Sequence, residues 1–474
     1  MLSSFTTRLT WLLFLCTVGA LVVHAVAGLD VSLGALLRID GLTLIMAVVV
    51  TFVSGIVHSF ARRYMAGSHH GGRFFSRLFG LTLVVLLLTA ADHLALFAGC
   101  WALMGWLLAD LIGLIRGWPQ ARAAARHARW SFLGGSVLLA AALALLAGQT
   151  GATTISAALS RIESLPVGTL ASIAGLLIVA AMIQSALIPF HRWLLSSMTA
   201  PTPVSAFMHA GLVNAGGLLL ARFAPVVAGL PEVMLAVVVV GALSALLAQA
   251  WMLVQVDVKR QLGCSTVAQM GFMVLQCGLG YFAAAIAHLV LHGFYKAYLF
   301  LSSGSTVVMK PPGAEARDAS GGPALVVTGL TAVAGGGLFM WFTGKSIAAP
   351  DGGLLLTLVV VLAVLHAAHT MLRTTALSAP TRAVAVPLVV LPALALYALV
   401  YNGIVALTAT TPMATAPAEG SVVHGLVGAL FVLAYIAVER GWHLERPRLY
   451  TLLLNTSQPA ASTVTTHRTE YHAH

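Results

Sequence analysis

Charge is scarce in this chain. Only 8% of its 474 residues are Asp, Glu, Lys or Arg, against about 25% in soluble globular proteins. Too few charged side chains remain to cover a water-facing surface, and that excludes a soluble fold. Acidic residues are rarer than basic ones, 14 against 25, which leaves a net charge of +11. In another composition that excess would point to nucleic acid. Here the basic residues sit in short clusters between apolar runs, such as "ARRYMAGSHHGGR" (61–73) and "RGWPQARAAARHAR" (116–129). That is the pattern of loops and headgroup contacts, so the bilayer is the expected partner and nucleic acid is not. Cysteine is also sparse. Cys16, Cys100, Cys264 and Cys277 show no CxxC spacing and read as small buried hydrophobes, with no iron–sulfur or zinc site. No GxGxxG or Walker loop occurs and no large polar domain is present, so no cofactor is expected in this chain.

What is present is apolar sequence: 59% hydrophobic residues and a mean hydropathy of +0.96. A spanning helix needs about 20 apolar residues. Runs of that kind lie near 10–28, 40–60, 77–92, 94–115, 130–148, 168–190, 203–225, 232–255, 264–281, 283–308, 323–343, 353–376, 383–409 and 421–439. The expected fold is an all-α polytopic membrane protein of about 13–14 transmembrane helices. Asp92 and His93 mark a turn within an apolar stretch too long for one helix. Residues 1–28 resemble a signal sequence but show no cleavage site before a hydrophilic domain, so a retained first helix is expected. Polar linkers lie at 160–168, 310–322 and 411–421. The last segment, 455–474, has no apolar period and is expected to be disordered.

Ionisable groups within a bilayer cost several kcal/mol each and are functional candidates by default. In "AHLVLHGFYKAYLF" (287–300), His288, His292 and Lys296 recur every fourth residue. On a helix they fall about 40° apart and form one stripe. Imidazoles ending in an amine suit stepwise proton transfer near neutral pH. The competing reading is polar glue between helices. In "QVDVKRQLGCSTVAQMGF" (255–272), Lys259 belongs either to a loop or to an inward-pointing helix start. In "IQSALIPFHRWLLSSMTAPTPVSAFMHAGLVNAG" (183–216), Pro189, Pro201 and Pro203 interrupt the apolar run between Gln184 and His209. Broken helices in membranes line polar cavities. Asp92, Asp110, Lys345, His366, His369 and Arg373 complete the candidates. Asp110 has no local cation, so it needs one from another helix or is neutral.

Three stretches carry a family resemblance: "APTPVSAFMHAGLVNAGGLLLAR" (200–222), "DVKRQLGCSTVAQMGFM" (257–273) and "AHLVLHGFYKAYLFLSSGS" (287–305). They resemble the proton-conducting antiporter-like subunits of respiratory complex I, Mrp-type antiporters and membrane hydrogenases. "RYMAG" (63–67) and "LFAGCWALMGWLLADLIG" (96–113) extend it over roughly 60–375. The resemblance implies two inverted five-helix repeats, each with a broken helix, and a chain of charged residues inside the membrane. It implies that Lys259 is a linking lysine, that His288, His292 and Lys296 are the central connection, that His209 lies by the first broken helix, and that Lys345 is the lysine of the second half. The expected organisation is N-terminal helices at 1–60, an antiporter-like core at 61–375, C-terminal helices at 376–454 and the tail at 455–474.

Two departures from the family pattern bear on function. The family's Trp-Glu reads Trp101-Ala102 here, and Gln184 stands where a lysine is usual. Losing both partners of a buried pair is tolerable, whereas losing one is not. Asp110 is a candidate partial substitute for the lost acid. The paired loss, with a chain shorter than the long complex I subunits, resembles the DabB family, the membrane subunits of DAB inorganic-carbon accumulation systems. That resemblance implies a large soluble partner of DabA type, similar to a zinc β-carbonic anhydrase and powered by H+ or Na+ flow through the membrane subunit. Zinc and catalysis would then belong to the partner. The alternative is an ion-translocating subunit of a complex I-, hydrogenase- or Mrp-type assembly.

Overall fold

The computed structural model describes residues 1–305, 322–345, 351–374, 379–413 and 417–464. Among these, 13 helices are long and apolar enough to cross a membrane. The chain is an all-α multi-pass membrane protein. A further helix, Val258–Gly278, has the crossing length. Lys259, Arg260, Gln261, Gln269 and Gln276 make it the most polar of the long helices. It packs along Pro231–Leu253, where Gly241 and Gly271 let the backbones meet: a Cβ on either would lie within 2.5 Å of the other helix's backbone. Among the described residues the one sheet is a hairpin, Val31–Leu33 with Leu37–Ile39, in the register Val31↔Ile39.

Two boundaries depart from the sequence reading. The cluster 116–129 is not all loop, because the helix Pro119–Thr150 begins eleven residues before the expected span. Proline at its first turn fits a helix start, and alanines follow on the inner face. At about 1.5 Å per residue its 32 residues exceed the roughly 30 Å hydrocarbon layer, so Arg122, Arg126 and Arg129 stand outside it. The tail is also ordered further than its composition indicated. Pro447–Thr456 and Ala461–Val464 are helical. Trp251 Nε1 donates to Thr456 Oγ1 at 2.9 Å, and Ala460 N donates to Ser196 Oγ at 3.1 Å. Polar anchoring of this kind leaves no apolar period to detect. Residues 465–474 and the linker 310–321 lie outside the described residues.

Successive crossing helices alternate in direction, so the loops fall on two faces. One face collects Arg62, Arg63, Arg116, Arg192, Lys259 and Arg260. The other carries Arg38, Arg161 and Lys345. The expected turn at Asp92 is present between Gly71–Ala90 and Leu94–Ile112, and its carboxylate accepts from Ser156 N and Oγ at 2.9 and 2.6 Å. The cysteines are all free, with Cys16 exposed and the other three buried.

Candidate ion pathway

The helix Phe282–Ser302 carries His288, His292 and Lys296 along one side. His292 and Lys296 are buried, at 5% and 0% exposure. The rings of His288 and His292 are near-parallel, with centroids 5.7 Å apart. At 1.5 Å per residue, His288 lies about 9 Å and Lys296 about 21 Å from the Phe282 end. The stripe therefore also runs across the membrane. Lys296 Nζ donates to Ser265 Oγ at 2.9 Å and to the Leu262 carbonyl at 3.3 Å.

His209 joins the same cluster from another element. It stacks on Phe300 at 4.3 Å and bonds through Nδ1 to Thr266 Oγ1 at 3.0 Å. The Thr266 hydroxyl spends its one proton on the Leu262 carbonyl, 2.9 Å away. It must then accept from His209 Nδ1–H, which leaves Nε2 with the lone pair. The Leu262 carbonyl thus bridges Lys296 and the His209–Thr266 pair. The Nε2 atoms of His209, His288 and His292 are buried without a partner among the described residues.

His209 directly precedes a helix break. Thr202–Ala210 and Ala215–Arg222 are separated by a 3-10 turn, Leu212–Asn214. The prolines do not cause this break, since Pro203 sits in the first turn, where a missing N–H costs nothing. Side chains replace the lost backbone bonds. Gln184 Nε2 donates to Leu212 O at 3.0 Å, Ser185 Oγ to Val213 O at 2.7 Å and Asn214 Nδ2 to Ala210 O at 2.8 Å. Gln184 is therefore buried at the break, its amide donating to a carbonyl that the break frees. Ala102 instead faces out of the bundle. Gly293 brings the stripe helix against this break: a Cβ there would lie 2.7 Å from Ala210 O. Gly293→Val should destabilise the fold by about 1–3 kcal/mol. It should also slow ion flux by displacing Lys296, which a melting curve and a flux assay on the same preparation would check.

Lys259 lies one helical turn before Leu262 and donates to Ala200 O at 3.3 Å, beneath the start of the broken helix. It points inward, the second of the two readings. Lys345 is at the opposite face, its ammonium among the rings of Tyr281, Phe339 and Tyr401. The structure does not bring Asp110 to the cluster. It finds its cations on another helix, pairing with Arg73 at 2.5 Å and Arg77 at 2.7 Å. That pairing ties it to the start of Gly71–Ala90 and argues against its replacing the missing acid. His366 and His369 hold the two oxygens of Glu439, at 3.0 and 3.2 Å, away from the row. The side chain of Arg373 lies outside the described set.

One buried pair escaped sequence reasoning. Asp40 caps Gly41–Tyr64 through Thr43 N at 2.9 Å and pairs with Arg222, the last residue of the broken helix. Arg222 also donates to Thr43 Oγ1 at 2.9 Å and Thr89 O at 3.0 Å. Its only sequence signal was an acid before an apolar run and an arginine after one, which reads as two loop ends. The pair ties the N-terminal helices into the core.

Two family models match this chain. One, described as "NADH:quinone oxidoreductase/Mrp antiporter, TM", covers residues 91–321, and the other, "NADH-Ubiquinone oxidoreductase (complex I), chain 5 N-terminus", covers 23–75. Together they take in more than half of the chain. It belongs to this antiporter-like family. The break, the His–Lys stripe and Lys259 all fall on or beside the family's matched region. Among its relatives is a probable inorganic carbon transporter subunit, DabB1, of Halothiobacillus neapolitanus, 40% identical over 289 residues, or 58% of this chain and 51% of that protein. A DabB of Bacillus anthracis is 40% identical over 275 residues, 57% of this chain and 53% of that one. The NADH-quinone oxidoreductase subunit L of Escherichia coli is 39% identical over 288 residues, 59% of this chain and 46% of that one. The chain thus spans about half the length of the curated relatives it matches. A chain of the Mrp complex from Dietzia sp. shares the fold at a TM-score of 0.59 and 24% identity, over 97% of this chain and 50% of that one.

Proposed function

We propose that this chain is the ion-conducting membrane subunit of an inorganic-carbon uptake complex in the cytoplasmic membrane. The similarity to DabB proteins at 40% identity carries this reading. The buried row supplies the means. Lys259, Lys296, His292 and His288, with His209 beside them, offer nitrogens that take up and release protons at helical spacing. The unpartnered imidazole nitrogens are the acceptors such a relay needs. Among the described residues no carboxylate bonds to Lys296, His292, His288 or His209, which favours protons over Na+ as the conducted ion. Flow down the gradient would energise a soluble, zinc-containing, carbonic anhydrase-like partner of DabA type, where catalysis would reside. The 39% identity to subunit L supports a second reading, a proton-translocating subunit of a complex I-, hydrogenase- or Mrp-type assembly.

The two readings differ in the company the chain keeps. Gentle extraction of the tagged chain from its native membrane, followed by mass spectrometry, should recover a large zinc-binding, carbonic anhydrase-like protein. Recovery of iron–sulfur, hydrogenase or Mrp-type subunits would select the second. The basic face sets the orientation. In a cysteine-free background, Ser32→Cys should react with an impermeant maleimide in intact cells, and Ser68→Cys should react only after lysis. The reverse pattern would overturn this topology.

A further inference from the structure

Lys345 follows the helix Gly322–Thr343, at the face opposite Lys259. Its ammonium is buried and has no hydrogen-bond acceptor among the described residues. Three rings surround it instead, with centroids at 4.2 Å for Tyr281, 4.9 Å for Tyr401 and 5.1 Å for Phe339. At those distances the negative face of a ring attracts a cation. The rings come from three elements. Tyr281 immediately precedes the His–Lys stripe helix, Phe339 is on the helix leading to Lys345, and Tyr401 is on Ala379–Leu407. Lys296 and Lys259 differ in being fastened to fixed oxygens. A ring cage holds charge without direction, and the three N–H groups of Lys345 meet no acceptor among the described residues. The Tyr281 hydroxyl in turn reaches Asp351 Oδ2 at 3.5 Å, while Asp351 Oδ1 accepts from Gly353 N at 2.7 Å. The other titratable groups around the site are Tyr397, beyond Phe339, and Glu419, whose backbone bridges that of Asp351.

We infer that Tyr281, Phe339 and Tyr401 form an aromatic cage that holds Lys345 charged but undocked, and that Asp351 receives its proton through the Tyr281 hydroxyl. The step balances without redox chemistry. The undocked ammonium swings from the ring face to the Tyr281 oxygen, which takes a proton from Lys345 Nζ as its own passes to Asp351 Oδ2. The ammonium becomes an amine and the carboxylate an acid, which then releases its proton to water at that face. Burial pulls Lys345 down to about 8, against the opposing charge of Asp351, so both of its forms are accessible near neutral pH. The inference rests on the chain being a proton conductor.

The test is proton flux, as a function of pH, through the complex isolated from its native membrane and placed in liposomes with an internal pH dye. Above the Lys345 transition the amine has no proton to give, so flux falls on the alkaline side. Tyr281→Leu and Tyr401→Leu remove ring faces that favour the ammonium and should move that fall about one pH unit lower. Tyr281→Phe keeps the ring, so the fall should stay in place while the rate drops severalfold. Asp351→Asn should cut the rate by about tenfold or more. Leucine variants whose profiles overlie the parent would overturn the cage. Full rates in both Tyr281→Phe and Asp351→Asn would overturn the transfer to Asp351. If a leucine variant fails to insert, Phe339→Leu and Asp351→Asn decide instead. A parent flux indifferent to Lys296→Ala would remove the conduction reading itself, separately from the cage.

Discussion

Lys296→Ala should lower ion flux by on the order of 100-fold or more, the usual worth of a positioned proton-transfer group. The protein should still insert and assemble. Lys296 is fully buried, and among the described residues its ammonium bonds to Ser265 Oγ and the Leu262 carbonyl and to no carboxylate. Deleting it therefore leaves no orphaned counter-ion. What is lost is the group between His292 and the Leu262 carbonyl. Lys296→Arg sharpens the test, because arginine keeps the charge but does not deprotonate in a protein. If Lys296 only supplied charge, the arginine variant would conduct. If it relays, both variants fail. Flux into dye-loaded liposomes at neutral pH measures this, with size-exclusion profiles as the control for folding. An alanine variant conducting at the parental rate would sink the relay.

Arg222→Ala should have the opposite signature, a loss of stability before any specific loss of transport. Asp40 is 1% exposed, and Arg222 supplies its countercharge. Removing one partner of a buried pair costs about 3–5 kcal/mol, because the other charge stays buried and alone. Burial by itself would push the Asp40 carboxyl up, but Arg222 and the Thr43 bonds outweigh it and hold it below the usual carboxylate range. A depressed folded-state pKa means that this stabilisation is complete at neutral pH and is lost only as acid protonates Asp40 in the folded protein. Asp40→Asn combined with Arg222→Leu keeps the cap on Gly41–Tyr64 and removes both charges, so it should recover most of the loss. Thermal melts of the tagged chain in detergent compare the three. A single variant melting with the parent would show that the pair contributes little.

Much of this protein was legible in its sequence because a bilayer is an unforgiving solvent. Long apolar runs have few alternatives to crossing helices, and within the described residues every span expected from hydropathy is helical, the one at 203–225 in separate pieces. The stripe was legible for the same reason, since three titratable groups at helical spacing stand out where charge is expensive. Other features had no one-dimensional signal. The break after His209 depends on Gln184 and Asn214 satisfying freed carbonyls; of the prolines that pointed to a break, Pro201 and Pro203 mark a helix start, while Pro189 lies in the irregular stretch after Gln184. Asp110 looked unpaired until folding brought Arg73 and Arg77 to it. The tail looked disordered because polar anchors on Trp251 and Ser196 leave no hydrophobic period.

By itself, then, the sequence determined the class of solvent, the crossing helices and the chemical identity of the groups placed in them. Those follow from transfer free energies, which are properties of residues and short segments. Only the tertiary structure decided which groups meet. It joined His209 to Lys296 through Thr266 and the Leu262 carbonyl, set Lys345 among rings from three parts of the chain, and locked Asp40 to Arg222 across 182 residues. Pairing within a membrane depends on helix packing, and packing is fixed by close approaches such as that of Gly293 to Ala210, which no single segment encodes.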